Sequence, residues 1–245
     1  MTTASGFGGA FLGRVDLKSE VMNRLRDRSR GPLPPPRLGD MCESIAIKTF
    51  LPGEGDVALG WPQDVLDLVD TLASGQDNAT ACAFVEDVVS GTPIGATLDH
   101  LPAAYLLKLL EDPAVGAIRL SRDRGGAADT LLCKIAEELR NWRVGRSPSS
   151  GQWNALKADA YAQLTLASAP AQAPRKHFTA LLARSIVDFD VTQATRWACQ
   201  LATACANEVA QDPNIAATRM RNWQIREFLN LIQNHDAVKT VPAFS

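Results

Sequence analysis

The chain has 245 residues, 46% apolar and 21% charged, room for one sizeable domain or two small ones around an ordinary core. That balance excludes collagen-like, low-complexity and fully disordered chains, and no run approaches the ~18 apolar residues a membrane span requires. The formal charge of −2 hides a segregated distribution: residues 1–40 carry net +3, residues 41–112 net −10 and residues 113–245 net +5.

Residues 1–40 read as a flexible basic arm. Gly6, Gly8, Gly9 and Gly13 loosen its start, and Gly31-Pro-Leu-Pro-Pro-Pro36 interrupts regular hydrogen bonding. Between them stand Arg24, Arg26, Arg28 and Arg30, and a short helix over Asp16–Arg28 is permitted, with Val21, Met22 and Leu25 on its apolar side. Alternation around Ile45 and Ile47 allows a strand over Glu43–Phe50, paired with Asp56–Gly60 as a minor β-hairpin near residues 43–60. Ala117–Leu120 is a weaker strand candidate.

Helices dominate from Trp61 onward. Pro62 and Asp64 open the first, whose Val65, Leu66, Leu68, Val69 and Leu72 fall at helical spacing before Gly75. Others are expected over Ala79–Val89, from Pro102 to the break at Asp112-Pro113, and over Ala127–Trp142. Gly145–Gly151 is a polar turn cluster, followed by helices over Trp153–Ser168 and Arg175–Val187. Asp190-Val-Thr-Gln193 has the form of a capping box and should open a long helix ending at Asp212-Pro213, after which the last helix carries Met220, Trp223, Phe228 and Ile232. The expectation is an all-α bundle of about seven to eight helices. It divides into the arm (1–40), an acidic helical unit (41–145), an Ala/Trp-rich helical unit (146–235) packed with it as one domain, and a tail (236–245).

Five scattered cysteines, Cys42, Cys82, Cys133, Cys199 and Cys205, include no C-x-x-C pair and are odd in number, so reduced, mostly buried thiols are expected. The 36 Ala, and the 18 Arg against 7 Lys, fit a high-GC bacterial origin. The N-terminus has no basic start joined to an apolar run, so a cytoplasmic location is expected. P-loop, zincin, nucleophile-elbow and S-x-x-K signatures are all missing, and neither metal nor cofactor is expected. There are 3 His. His100 beside Asp99, and His177, are the candidates for an enzyme of an unfamiliar helical class.

The leading reading is a non-enzymatic protein-binding module of adaptor or immunity type. Its contacts would be made by Arg24, Arg26, Arg28 and Arg30 of the arm and by Asp64, Asp67 and Asp70 on the acidic helical face. A nucleic-acid role using the arm together with Arg219, Arg221 and Arg226 of the last helix is the alternative. No membrane partner is expected.

Overall fold

The computed structural model describes residues 9–29, 37–49, 58–122, 127–144, 146, 148–167 and 172–235. Among the described residues there are eleven α-helices instead of the seven to eight expected, Leu38–Thr49 and the short Ala117–Ser121 being helical where strands were allowed, with two short 3-10 turns and no strand, and no helix is long and apolar enough to cross a membrane. The chain divides into two compact units, one running to Leu101 and resumed from Leu229, the other running from Pro102 to Phe228.

In the first unit a 3-10 turn, Ala10–Gly13, leads into α1 (Val15–Ser29), followed by α2 (Leu38–Thr49), a second 3-10 turn (Ala58–Gly60), α3 (Gln63–Ala73) and α4 (Asn78–Gly91). The arm expected over residues 1–40 is thus folded over 9–29. Leu17, Val21 and Leu25 recur every four residues on α1 and are at most 3% exposed, and α1 packs on α4 and α2. Lys18 adds a fixed contact, its Nζ donating to Ser90 O at 2.8 Å and Thr92 O at 2.7 Å, the carbonyls freed where α4 ends. The Lys18 ammonium also lies over the ring of the buried Phe11, 5.7 Å from its centroid, and that ring meets Trp61 edge-on at 5.7 Å.

No β-hairpin forms over residues 43–60 as far as they are described. Leu38, Met41, Cys42 and Ile45 are all buried at the three- and four-residue spacing of a helix, and this longer stripe overrides the two-residue alternation of Ile45 and Ile47. Residues 50–57 lie outside the described set. Two glycines of this unit have no room for a side chain: a Cβ on Gly60 would stand 2.0 Å from Gly9 O, and one on Gly9 2.3 Å from Gly95 O, both at positive φ.

The second unit holds α5 (Leu101–Glu111, entering from Pro102), α6 (Ala117–Ser121), α7 (Ala127–Arg143), α8 (Ser150–Leu166), α9 (Pro174–Val187), α10 (Val191–Glu208) and α11 (Pro213–Gln233, to Phe228). Helix α9 is central, with α10, α8 and α7 against it, and its Leu182, Ala183 and Ile186 are fully buried. The α9–α10 corner places Phe189 at φ 55, a conformation an L-residue holds only when its surroundings demand it. The ring stacks on Trp153 at 5.1 Å and takes Trp142 edge-on at 5.3 Å, so the corner is held by aromatic packing in place of a glycine.

Three details depart from the sequence reading. Ala117–Leu120 is helical, as α6, because Gly116 caps a turn that folds straight back from α5. The complete capping box stands at Ser149 and Gln152, where Ser149 Oγ accepts from Gln152 N and Gln152 returns the bond to Ser149 N. At Asp190 the aspartate accepts from Gln193 N at 2.9 Å, the first half of that motif. Finally, α10 stops at Glu208 instead of Asp212, with Ala210 at φ 54 turning the chain.

Candidate functional site

The sequence-level candidates on the first unit are largely engaged within the fold. Arg24 pairs with Glu20 at 2.7 Å and donates to Ser44 Oγ at 3.2 Å. Arg26 and Arg28 are exposed on α1, and Arg30 lies outside the described residues. Asp64 is exposed, and Asp67 accepts from Gln63 Nε2 at 2.8 Å. Asp70 is half-buried and accepts from Leu38 N at 2.8 Å, so α3 supplies the N-terminal cap of α2. Burial, aided by Asp40 and Asp67 and opposed by the Leu38 amide and Arg37, pushes its carboxyl up to about 6. Burial first, and Asp70 second, push the adjacent Cys42 thiol up to about 12, which makes it a packing group and not a nucleophile. His100 is 6% exposed among the buried Leu98 and Leu101, whereas Asp99 faces solvent. His177 is half-buried on α9, edge-on to Phe178 at 5.8 Å. Among the described residues no group of three or more His, Cys, Asp or Glu side chains could hold a metal ion.

The last-helix arginines have a different setting. At the start of α11, Pro213 occupies the first turn and Asp212 Oδ1 accepts from Asn214 N at 2.8 Å. From there each of Ile215, Thr218, Arg219, Asn222 and Arg226 has another of the set three or four residues away, so they share one face of the helix. That face is one wall of an open groove of about 600 Å³ whose other wall is the α5–α6 turn at Ala114 and Val115, a volume in the range of ligand sites. A second chamber of about 330 Å³ continues past Ala114, Val115 and Arg219 toward Arg175, Cys205 and Met220.

Asp112 ties the two walls together. Its Oδ1 accepts from Ala114 N at 2.8 Å and Val115 N at 2.9 Å, forming the turn, while Oδ2 accepts from Trp223 Nε1 at 3.0 Å on α11. The turn is tight: a Cβ on Gly116 would stand 2.5 Å from Asp112 N and O. Arg119 folds back over it, Nη1 donating to Pro113 O at 2.6 Å and Ala114 O at 3.0 Å. In the second chamber Arg175 donates to Leu120 O at 2.8 Å, to Arg122 O, and to Glu208 at 3.0 Å. Cys205 Sγ donates to Leu120 O at 3.2 Å, and burial holds its thiol above the ordinary range.

Four arginines and one carboxylate, Glu208, line the two chambers. Arg119 and Arg175 are held by backbone carbonyls. Arg219 is exposed and has no ion-pair or hydrogen-bond partner among the described residues, and Arg226, 66% exposed, pairs with Glu227 at the long distance of 4.0 Å. Ile215 between them and the helix start is 58% exposed. Arg221, the third arginine of that set, is half-buried and close enough to Cys199 to oppose the burial-driven rise of its thiol. The sequence reading found Arg219 and Arg226 but missed Asp112, Val115, Ile215 and Asn222. Asp112-Pro-Ala-Val-Gly116 carries a turn signature that could have revealed the opposing wall.

Compared with known protein families, with characterised proteins and with solved structures, the chain matches none.

Proposed function

We propose that this chain is a helical protein-binding module and that its recognition surface is the groove beside α11. The observation that carries this reading is the pair Arg219 and Arg226, exposed on one helix face that begins at the exposed Ile215 and stands opposite the apolar Ala114 and Val115. Apolar surface with a few fixed charges at its rim is the composition of a macromolecular contact. The arm and the acidic α3 face are weaker candidates in this reading, since Arg24 and Asp70 already bond within the fold.

Nucleic-acid binding is the second reading, favoured by the four arginines. Against it stand the internal use of Arg119 and Arg175 and the setting of Trp223, the one aromatic lining residue, which is 5% exposed with its indole N–H on Asp112. Such a ring offers no face for a base to stack on. An enzyme using His100 has less support, because the ring is buried while Asp99 points to solvent.

The test is affinity capture from the source organism with the wild type, with R219E/R226E and with D64N/D67N, each with and without nuclease. A protein retained by the wild type and by D64N/D67N, nuclease-resistant, and lost with R219E/R226E supports the reading. Equal retention by R219E/R226E, or retention abolished by nuclease, overturns it.

A further inference from the structure

We infer that the occupant of the groove is an acidic amphipathic helix of a partner protein, seated along α11 with two carboxylates on Arg219 and Arg226. This rests on the protein-binding reading and names its ligand. The argument begins with spacing. Arg219 and Arg226 stand seven residues apart on a continuous helix, an axial separation of about 10.5 Å. A second helix lying alongside presents its own positions i and i+7 with the same rise, so one face carrying two Glu or Asp residues seven apart meets both guanidiniums in register. An extended strand would need a different spacing, since its side chains on one face recur about every 6.8 Å.

Shape and polarity agree with this occupant. The lining face of α11 runs from Asn214 to Arg226, about 18 Å at helical rise, which is room for three turns or more of a partner helix. The opposite wall offers Ala114 and Val115, and the near wall begins at Ile215, one turn before Arg219. An apolar residue on the ligand would cover these, while Asn222, between the arginines, and Thr218, just before Arg219, add polar contacts. Charge selects the ligand's sign. Glu208 already holds Arg175, and Asp112 uses both oxygens on the turn and on Trp223. A ligand carboxylate therefore meets an exposed guanidinium with no partner among the described residues at Arg219, and at Arg226 an exposed one held only by the long 4.0 Å contact to Glu227.

The experiment measures fluorescence anisotropy of a labelled, helix-favouring peptide of about five turns, with Glu seven residues apart and Leu between them on the same face. The full chain, R219E/R226E, and a matched peptide with Lys for both Glu complete the set. Because both arginines are exposed, the double variant keeps its helix content by circular dichroism. Expected results are micromolar binding of the Glu peptide to the wild type, at least about tenfold weakening in R219E/R226E, and recovery when that variant is paired with the Lys peptide. Failure of the Glu peptide to bind the wild type overturns the inference. So does equal binding to R219E/R226E, displacement by a single-stranded oligonucleotide at lower concentration, or occupation of the groove by a second copy, read by sedimentation. If peptide binding fails while capture of a protein still depends on Arg219 and Arg226, the acidic-helix ligand is wrong and the protein-binding reading survives. If capture is also independent of the arginines, both fall.

Discussion

Asp112 is the residue on which the groove's geometry depends most, and replacing it tests the account of how the two walls are joined. In Asp112→Ala three hydrogen bonds to a carboxylate disappear, two from turn amides and one from the Trp223 indole. The amides rehydrate at modest cost because the turn is partly exposed. The indole N–H belongs to a side chain 5% exposed, and stranding such a donor costs about 1–3 kcal/mol. Together the loss should be about 2–4 kcal/mol. Asp112→Asn is informative beside it. One amide oxygen can serve the turn, but the NH2 then faces the indole donor, so about half the loss should return. Urea unfolding followed by circular dichroism measures the first quantity, and hydrogen exchange at Ala114 and Val115 reports the turn itself. If Asp112→Ala changes the unfolding free energy by less than about 0.5 kcal/mol and leaves those amides as protected as before, the carboxylate does not hold the walls and the reasoning fails.

Asp70, raised to about 6 by burial, binds its proton more tightly folded than unfolded. Its contribution to stability is therefore complete near pH 4 and is lost as pH rises through about 6. Asp70→Asn, neutral throughout and still able to accept from Leu38 N, should match the wild type near pH 4 and exceed it at neutral pH by about 1–2 kcal/mol after allowance for partial exposure. Parallel pH curves for the two proteins would contradict this. Gly60→Ala meets Gly9 O at 2.0 Å at positive φ and should destabilise the first unit by about 3 kcal/mol or more. Gly91→Ala, where the nearest contact is Gln233 Cγ at 3.5 Å, should lie within about 0.5 kcal/mol of the wild type; equal effects in thermal unfolding would refute the steric argument. Lys18→Met keeps the aliphatic stem but loses the bonds to Ser90 O and Thr92 O. It should cost about 1–2 kcal/mol in urea unfolding, and no loss would show that water replaces the ammonium there.

Much of the helical framework was legible before any coordinates. The stripes of α3, α7 and α9 name their own buried faces, and Gly75, Gly91 and Asp112-Pro113 mark real ends. What escaped is physical in each case. The two-residue alternation of Ile45 and Ile47 spans too short a window to decide the element, and the helical recurrence of Leu38, Met41, Cys42 and Ile45 emerges only over a longer one. In the basic arm the glycines and arginines dominate the local pattern. Leu17, Val21 and Leu25 form a narrow stripe that cannot fold alone, yet it is enough once α4 lies against it. Tertiary hydrogen bonds are the part least available to pattern reading. Asp70 caps the start of α2 through Leu38, 32 residues away, and Asp112 accepts from the Trp223 indole 111 residues away, and local spacing carries no trace of either bond. The groove itself arises because the Asp112–Gly116 turn folds onto α11, so only its arginines, and not its opposing wall, were named in advance.

The central claim is that a protein segment bearing acidic residues sits against α11 in the second unit. It is tested most directly by placing a photoreactive phenylalanine analogue at Asn222, between the two arginines, and a control analogue at Ala158 on the exposed side of α8. After irradiation in the source organism the adducts would be digested and sequenced by mass spectrometry. The account predicts a polypeptide adduct at position 222 alone, mapping to a helical segment with Glu or Asp seven residues apart, and lost when Arg219 and Arg226 are reversed in charge. A nucleic-acid adduct at 222, or identical adducts at 222 and 158, would contradict it.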